Sequence, residues 1–451
     1  MEIDRAQPFL DPPRGFFSSL KYLGPGLILS AAVVGSGELI ATTAFGAKAG
    51  FAVLWVILLG CFLKVAVQLQ YGRQAIAHGQ ASFSAWNAGK GTRLFGLHWS
   101  VCFGFIYLLS MLVGQGAVLG GAVQAVQEAV PNAHTKVVAV AIAVALALLV
   151  FRGTYRHIEV LATLFNVLFT SLVLYCVFAV QRTEFAFGWN DVAGGFSLQV
   201  PSGARALALT AFGITGLSAG EIFVYPSWCI EKGYAAWAGP RDGSPEWAAR
   251  ARGWMRVMTY DALVSLAVYT VATVSFYFLG AAVLHPQGDV VDGGNVIRQL
   301  LQMFTKVMGV ETRPLFMVGA FLVLFSTAFS NLAGHSRLWV DFFGISRICD
   351  SSNVATRKRL LTILAWVMPV FWCLSYIVVQ KPIALVIVLG ISNSIFLLVV
   401  AYQALVFRYR NTDPALTPSR GFDVFLWLSV LAIGFMAARV ALLTYLGATR
   451  G

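Results

Sequence analysis

The stretch Gly24–Ala47 reads GPGLILSAAVVGSGELIATTAFGA. It is apolar and long enough to cross a bilayer as a helix, which takes roughly 20 residues. Yet its middle holds Gly35, Ser36, Gly37 and Glu38. Glycine tolerates non-helical dihedrals, and a carboxyl at mid-depth is costly unless something partners it. Unwound backbone survives inside a membrane only where protein or a water-filled cavity covers it. The stretch is therefore expected to be a discontinuous helix whose polar centre meets a ligand.

The rest of the chain supports a membrane setting. Its 451 residues are 58% hydrophobic and 12% charged, well outside the composition of soluble domains. Eleven apolar segments are expected to span: 24–46, 49–70, 99–125, 136–152, 158–181, 205–231, 257–283, 313–336, 359–380, 382–407 and 423–447. The long loop 284–312 is expected to carry an amphipathic helix over Val296–Val307, and 73–98 an interfacial or intracellular element. Met1–Lys21 is polar and lacks an apolar run followed by a cleavage site, so the first span is expected to remain as an anchor. With the N-terminus inside, 21 of the 32 Lys and Arg fall in inner segments and 9 in outer ones. Lys64 and Arg439 lie within spans. The bias predicts a multi-pass protein of the cell membrane, N-terminus cytoplasmic and C-terminus outside. The net charge of +12 is then a topology signal, and no nucleic-acid partner is expected. The six cysteines form no CxxC pair and read as small core residues.

The sixth segment, LALTAFGITGLSAGEIFVYPSWCIEKG (207–233), repeats the event of the first. Ser36-Gly37-Glu38-Leu39-Ile40 is echoed by Ala219-Gly220-Glu221-Ile222-Phe223, with Gly213 and Gly216 before it and Pro226 after. Five spans separate the two. A five-plus-five inverted repeat produces this pattern, with one discontinuous helix opening each half and the site at their meeting point. The expected architecture is an all-α integral membrane domain over 22–451 after a cytoplasmic segment 1–21. Repeat one covers about 22–181 and repeat two about 205–407, with an extra helix at 423–447. Substrate or ion binding falls to Gly35, Ser36, Glu38, Ser218, Gly220 and Glu221. Glu38 and Glu221 are the candidate metal ligands. Two facing carboxylates could balance one divalent cation or share a proton. Each could instead cap free N–H groups at a half-helix start.

Other polar residues stand out against the apolar background. Lys64, in the second span, either snorkels or pairs with a carboxylate, and is a candidate for gating or a proton pathway. Ser326, Thr327, Ser330 and Asn331 recur at helical spacing in span eight, where Ser330 and Asn331 are pathway candidates. Asn393 is the candidate ligand of span ten. Tyr225 follows the break in span six, could wall a cavity, and is a further candidate for the proton pathway or gating. Asp261 reads as a helix-start residue. His98, His157 and His335 sit at span ends.

Taken together, GPGLI (24–28), GFAVLWVILL (50–59, continuing through Gln70 and Arg73 to Gly79) and NLAGHSRLWVDFF (331–343) resemble the Nramp divalent-metal transporters, with their eleven-span version of the LeuT-type fold. The resemblance follows order and topology over nearly the whole chain. It implies a secondary carrier working by alternating access. The family's first-span DPGN, whose Asp and Asn bind metal, stands here as Gly35, Ser36, Gly37 and Glu38. The sixth-span MPH stands as Ser218, Ala219 and Gly220, followed by Glu221. The resemblance therefore does not carry the family's metal ligands over.

All the candidate ligands carry oxygen, which suits Mg²⁺, Ca²⁺ or Mn²⁺. The expected function is divalent cation transport, possible coupling to protons included, by a monomer without cofactors. The alternative is the same carrier moving a small organic solute or an anion, with the glutamates handling protons. No HExxH, GxSxG or Walker loop occurs, so an enzyme is not expected.

Overall fold

The computed structural model describes residues 9–151, 155–198, 212, 215–288, 296–351 and 353–448. Among these the chain is helical almost throughout. Strand pairing is confined to a short antiparallel hairpin, Arg93–Leu94 with Leu97–His98.

The first apolar segment stays helical but changes pitch. An α-helix covers Pro25–Val33, a π-helix Val34–Thr42, and an α-helix Thr43–Ala49. The discontinuity expected at 35–38 thus takes the form of widened turns rather than unwound chain. In a π-helix each N–H still finds a carbonyl, five residues back. The backbone stays satisfied in a dry setting while its pitch is interrupted.

The remaining helices follow the expected segments. Leu54–His78, Trp99–Gly114, Gly116–Ala129, Thr135–Phe151 and Tyr155–Val180 complete the first half. Ala219–Lys232, Pro245–Leu279, Arg313–Ile345, Val354–Val379 and Pro382–Val406 make the second, and Arg420–Ala448 follows. The first part of span six, with Gly213, lies outside the described residues. Eight helical stretches among the described residues are individually long and apolar enough to cross a membrane. Thr135–Phe151 is shorter, at 17 residues. The loop helix appears at Val296–Met308, and the 73–98 region holds the short helix Ser82–Asn87.

Burial separates core helices from lipid-facing ones. In Leu54–His78 the consecutive residues Val65, Ala66 and Val67 are all fully buried, as expected where a helix is surrounded by protein at that level. Phe178, Val378 and Leu431 are 71%, 81% and 62% exposed, an apolar outer surface that suits lipid and not water. Arg313–Ile345 packs against Pro25–Val33, Gly116–Ala129 and Tyr155–Val180, and Pro245–Leu279 packs against Leu54–His78 and Pro25–Val33. One crossing is very close. A Cβ on Gly46 would lie 2.4 Å from the Tyr277 carbonyl oxygen, and one on Gly280 would lie 2.3 Å from that of Thr43. Only residues without a side chain let the two backbones meet this way.

The end that carries the basic loops is tied by charge. Arg337 grips Glu231 with two bonds of 2.7 and 2.8 Å, and Arg357 adds a third at 2.9 Å. The Arg337 guanidinium also lies 4.4 Å from the centre of the Trp228 ring. Lys232 meets Glu159 at 2.8 Å and donates to the Leu23 carbonyl at 2.7 Å. Asp261 does serve a helix start, though of a different helix from its own. Its carboxylate accepts the N–H groups of Gly24 (2.7 Å) and Gly26 (2.6 Å), at the head of Pro25–Val33. Replacing it by Ala orphans two buried donors at about 1–3 kcal/mol each. Asp261→Ala is therefore expected to unfold several degrees lower in a detergent melt, and an unchanged midpoint would refute this anchoring role.

Candidate functional site

The break in the sixth span is resolved over Thr215–Ser218. Gly216 has φ +63°, a left-handed conformation that suits glycine. It also leaves no room for a side chain, since a Cβ there would sit 2.9 Å from the Cα of Cys61. The helix Ala219–Lys232 then starts from Ser218, whose hydroxyl accepts the Gly220 N–H at 3.2 Å. Glu221 reaches back to accept the Ser218 N–H at 2.8 Å. Ser218 and Glu221 therefore form a capping box. The capping alternative holds for Glu221.

Glu38 is completely buried against the same segment. Its Oε1 accepts the Gly216 N–H at 2.8 Å and its Oε2 the Thr42 hydroxyl at 2.6 Å. Lys64, also completely buried, donates to the Thr215 carbonyl at 2.8 Å and stands 5.2 Å from the centre of the Phe212 ring. Three ionisable side chains from three helices thus hold backbone groups of one short segment, the Thr215 carbonyl and the N–H groups of Gly216 and Ser218. Among the described residues Lys64 neither snorkels nor forms a direct ion pair. Its ammonium still acts electrostatically on both Glu38 and Glu221.

A small cavity of about 30 Å³ opens beside this segment, bordered by Tyr107, Gln115, Ser218, Glu221, Asn331 and Asn393 among others. A second, of about 10 Å³, lies against Gly220, Glu221, Ser330, Asn331 and His335. The polar walls are cross-linked. Tyr107 donates to Asn393 Oδ1 at 2.6 Å, and Asn331 Nδ2 donates to Gln115 Oε1 at 3.0 Å. Gly220 keeps this wall close, because a Cβ there would lie 2.6 Å from the Tyr107 hydroxyl.

The predicted residues therefore divide. Ser218, Glu221, Asn331 and Asn393 border the larger cavity, with Gly220 and Ser330 at the smaller. Glu38 borders neither, because its carboxylate is committed to Gly216 and Thr42. Gly35 packs against span eight, where a Cβ would fall 2.1 Å from Thr327 Oγ1. The Ser36 side chain lies outside the described residues. Tyr225 turns away from the cavities to Asp261, at 3.3 Å. Among the described residues no three His, Cys, Asp or Glu converge as a ready metal cage.

Two wall residues escaped the sequence reading, Tyr107 and Gln115. Gln115 interrupts the helix between Trp99–Gly114 and Gly116–Ala129. Its setting, Gly114-Gln115-Gly116 within an apolar run, is the same kind of signal as GSGE. Tyr107 left no comparable mark.

A sequence model of the natural resistance-associated macrophage protein-like (Nramp) family matches residues 26–443. The chain belongs to the Nramp family. Its members are transporters, not enzymes. A curated relative, the divalent metal cation transporter MntH of Xylella fastidiosa, is 27% identical over 340 residues. That match covers 70% of this chain and 64% of the relative, a little under two thirds of the relative's length. Among solved structures, the Eremococcus coleocola manganese transporter bound to an aromatic bis-isothiourea substituted compound superposes with a TM-score of 0.70 at 16% identity. It covers 97% of this chain and 90% of that one. Mhp1, a nucleobase-cation-symport-1 family transporter in a closed conformation, gives a TM-score of 0.59 at 16% identity, covering 95% and 92%. At these identities the likeness shows the fold, which is LeuT-type.

The fastening of Thr215–Ser218 is open to test. Lys64→Met removes the donor to Thr215 and leaves two buried carboxylates without their nearby cation. Stripping the donor from a buried carbonyl costs about 1–3 kcal/mol. The expected outcome is a markedly lower melting midpoint for the purified protein, and a wild-type midpoint would show that the ammonium is dispensable.

Proposed function

We propose that this Nramp-family protein carries a divalent metal cation across the cell membrane by alternating access, with the cation held beside Thr215–Glu221. One observation carries the reading. Two buried carboxylates, Glu38 and Glu221, and one buried ammonium, Lys64, hold the same short segment of a discontinuous helix. That leaves one negative charge in the membrane interior to be cancelled by a proton or a metal ion, because uncompensated buried charge is strongly unfavourable. Glu221 borders both cavities, so it is the carboxylate that meets the cation. Glu38 holds the segment that shapes the site. Ser218 and the amides of Asn331 and Asn393 supply further oxygen, and Ser330 lies along the route.

The same charge count supports proton coupling. A proton and a cation would compete for Glu221, so loading one favours release of the other. The distribution of basic loops supports an orientation with the N-terminus and the Arg337–Glu231–Arg357 cluster on the cytoplasmic side and the C-terminus outside. In that orientation the ion pairs close the inner end. The protein is proposed to work as a monomer.

Reconstitution in liposomes tests the reading. Wild-type protein is expected to take up Mn²⁺ or another divalent ion, with proton movement followed by an enclosed pH dye. Glu221→Gln should slow uptake by about tenfold or more, the equivalent of about 1.4 kcal/mol lost at the site. Glu38→Gln should lower thermal stability even without metal, because one of its two donors loses its acceptor. Unaltered uptake in Glu221→Gln would remove Glu221 from the site. Absence of any divalent flux, with binding of an organic solute, would favour the neutral amide and phenol groups of the cavity as a solute site.

A further inference from the structure

The two cavities beside the sixth-span break share three polar side chains, Glu221, Asn331 and His335. Asn331 and His335 are four residues apart on Arg313–Ile345, so they project from one face of that helix. His335 is 3% exposed, and its Nδ1 has no hydrogen-bond partner. A buried ring nitrogen without a partner is uncommon and calls for an explanation. Its Nε2 lies 3.6 Å from where a Cβ on residue 220 would stand, which brings the imidazole to the first turn of Ala219–Lys232.

The other two groups are already oriented by second partners. Asn331 spends its amide N–H on Gln115, at 3.0 Å. This fixes the amide flip and leaves the oxygen as the atom free to bind elsewhere. Glu221 spends Oε2 on the Ser218 N–H and keeps Oε1. Such outer hydrogen bonds are how proteins orient metal ligands.

We infer that Glu221, Asn331 and His335 form a mixed nitrogen and oxygen site, and that His335 sets its preference for first-row transition ions over Mg²⁺ and Ca²⁺. This rests on the proposal that the chain carries a divalent cation. It departs from the all-oxygen site expected from the sequence, because imidazole suits Fe²⁺, Co²⁺, Ni²⁺ and Zn²⁺, whereas carboxylate and carbonyl suit Mg²⁺ and Ca²⁺. A site with one carboxylate, one amide and one imidazole binds less tightly than a cage of acids and histidines, and a carrier must release its cargo.

The test uses the full-length protein. Co²⁺ and Mg²⁺ binding are measured by calorimetry, and uptake of both is followed in liposomes. Wild type should bind Co²⁺ at least about tenfold more tightly than Mg²⁺, and His335→Gln should bring that ratio close to one while Mg²⁺ affinity stays within about twofold. Asn331→Ala should weaken both ions together. In the unaltered protein, which removes any concern over folding, pulsed electron paramagnetic resonance of bound Mn²⁺ should show coupling to an imidazole nitrogen.

Absence of that coupling, or a Co²⁺ preference that survives His335→Gln, overturns the inference. If Glu221→Gln abolishes binding while His335→Gln keeps the preference, cation transport stands and the role of His335 falls. If wild type binds no divalent ion at all, both fall.

Discussion

The structure depends on how one short piece of non-helical backbone is kept in the membrane. Thr215 to Ser218 exposes a carbonyl and two N–H groups that a helix would have satisfied. Lys64 takes the carbonyl, Glu38 one N–H and Glu221 the other. Each of these side chains is expensive to bury alone and becomes tolerable with the others. The charges thus hold the backbone, and the opened backbone in turn gives the charges partners. The cavities sit beside this segment because the same geometry that satisfies the chain leaves space where a regular helix would have filled it.

Much of this was legible beforehand, for identifiable reasons. Apolar run length and the distribution of basic loops marked the helices, because the bilayer imposes both. The paired glycine-and-glutamate breaks marked the segment around 215–221, because glycine and a buried acid are each costly in a span and are not expected to coincide twice without cause. What stayed hidden was direction. A sequence places Glu38 and Glu221 at matching positions, yet Glu38 turns to Thr42 and Gly216 while Glu221 reaches the cavities. Tyr225 looked like a cavity wall and instead serves Asp261. The π-helical turn at Val34–Thr42 was read as unwound chain, because glycine content predicts weakness in a helix without saying how the weakness is absorbed. His335 looked like a span-end residue because the eighth helix runs on to Ile345, well beyond the predicted end at 336, which sets His335 inside the packed interior.

The departures from the family's signature are easier to understand at this level. Where the resembled DPGN and MPH motifs carry ligand groups, Gly35, Ser218 and Gly220 stand here, and Glu38 at the last DPGN position is committed to Gly216 and Thr42. Gly35 lets the first helix approach Thr327, and Gly220 lets the sixth approach Tyr107. Close packing has taken over where ligands stand in the resembled motifs. A carboxylate one step further along the sixth helix remains at the cavity.

The widened turns of Val34–Thr42 carry a mechanical implication. A π-helix packs more residues into each turn than the 3.6 of an α-helix. If those nine residues tightened to the ordinary pitch, each would advance by the roughly 100° of an α-helix in place of the smaller angle of a π-turn, and the segment beyond would rotate by the accumulated difference. Glu38 lies inside this stretch, so the same screw motion would pull its carboxylate off Gly216. Letting go of the sixth helix and turning the part of the first that follows it would then be a single movement, geared through a spring wound into the chain.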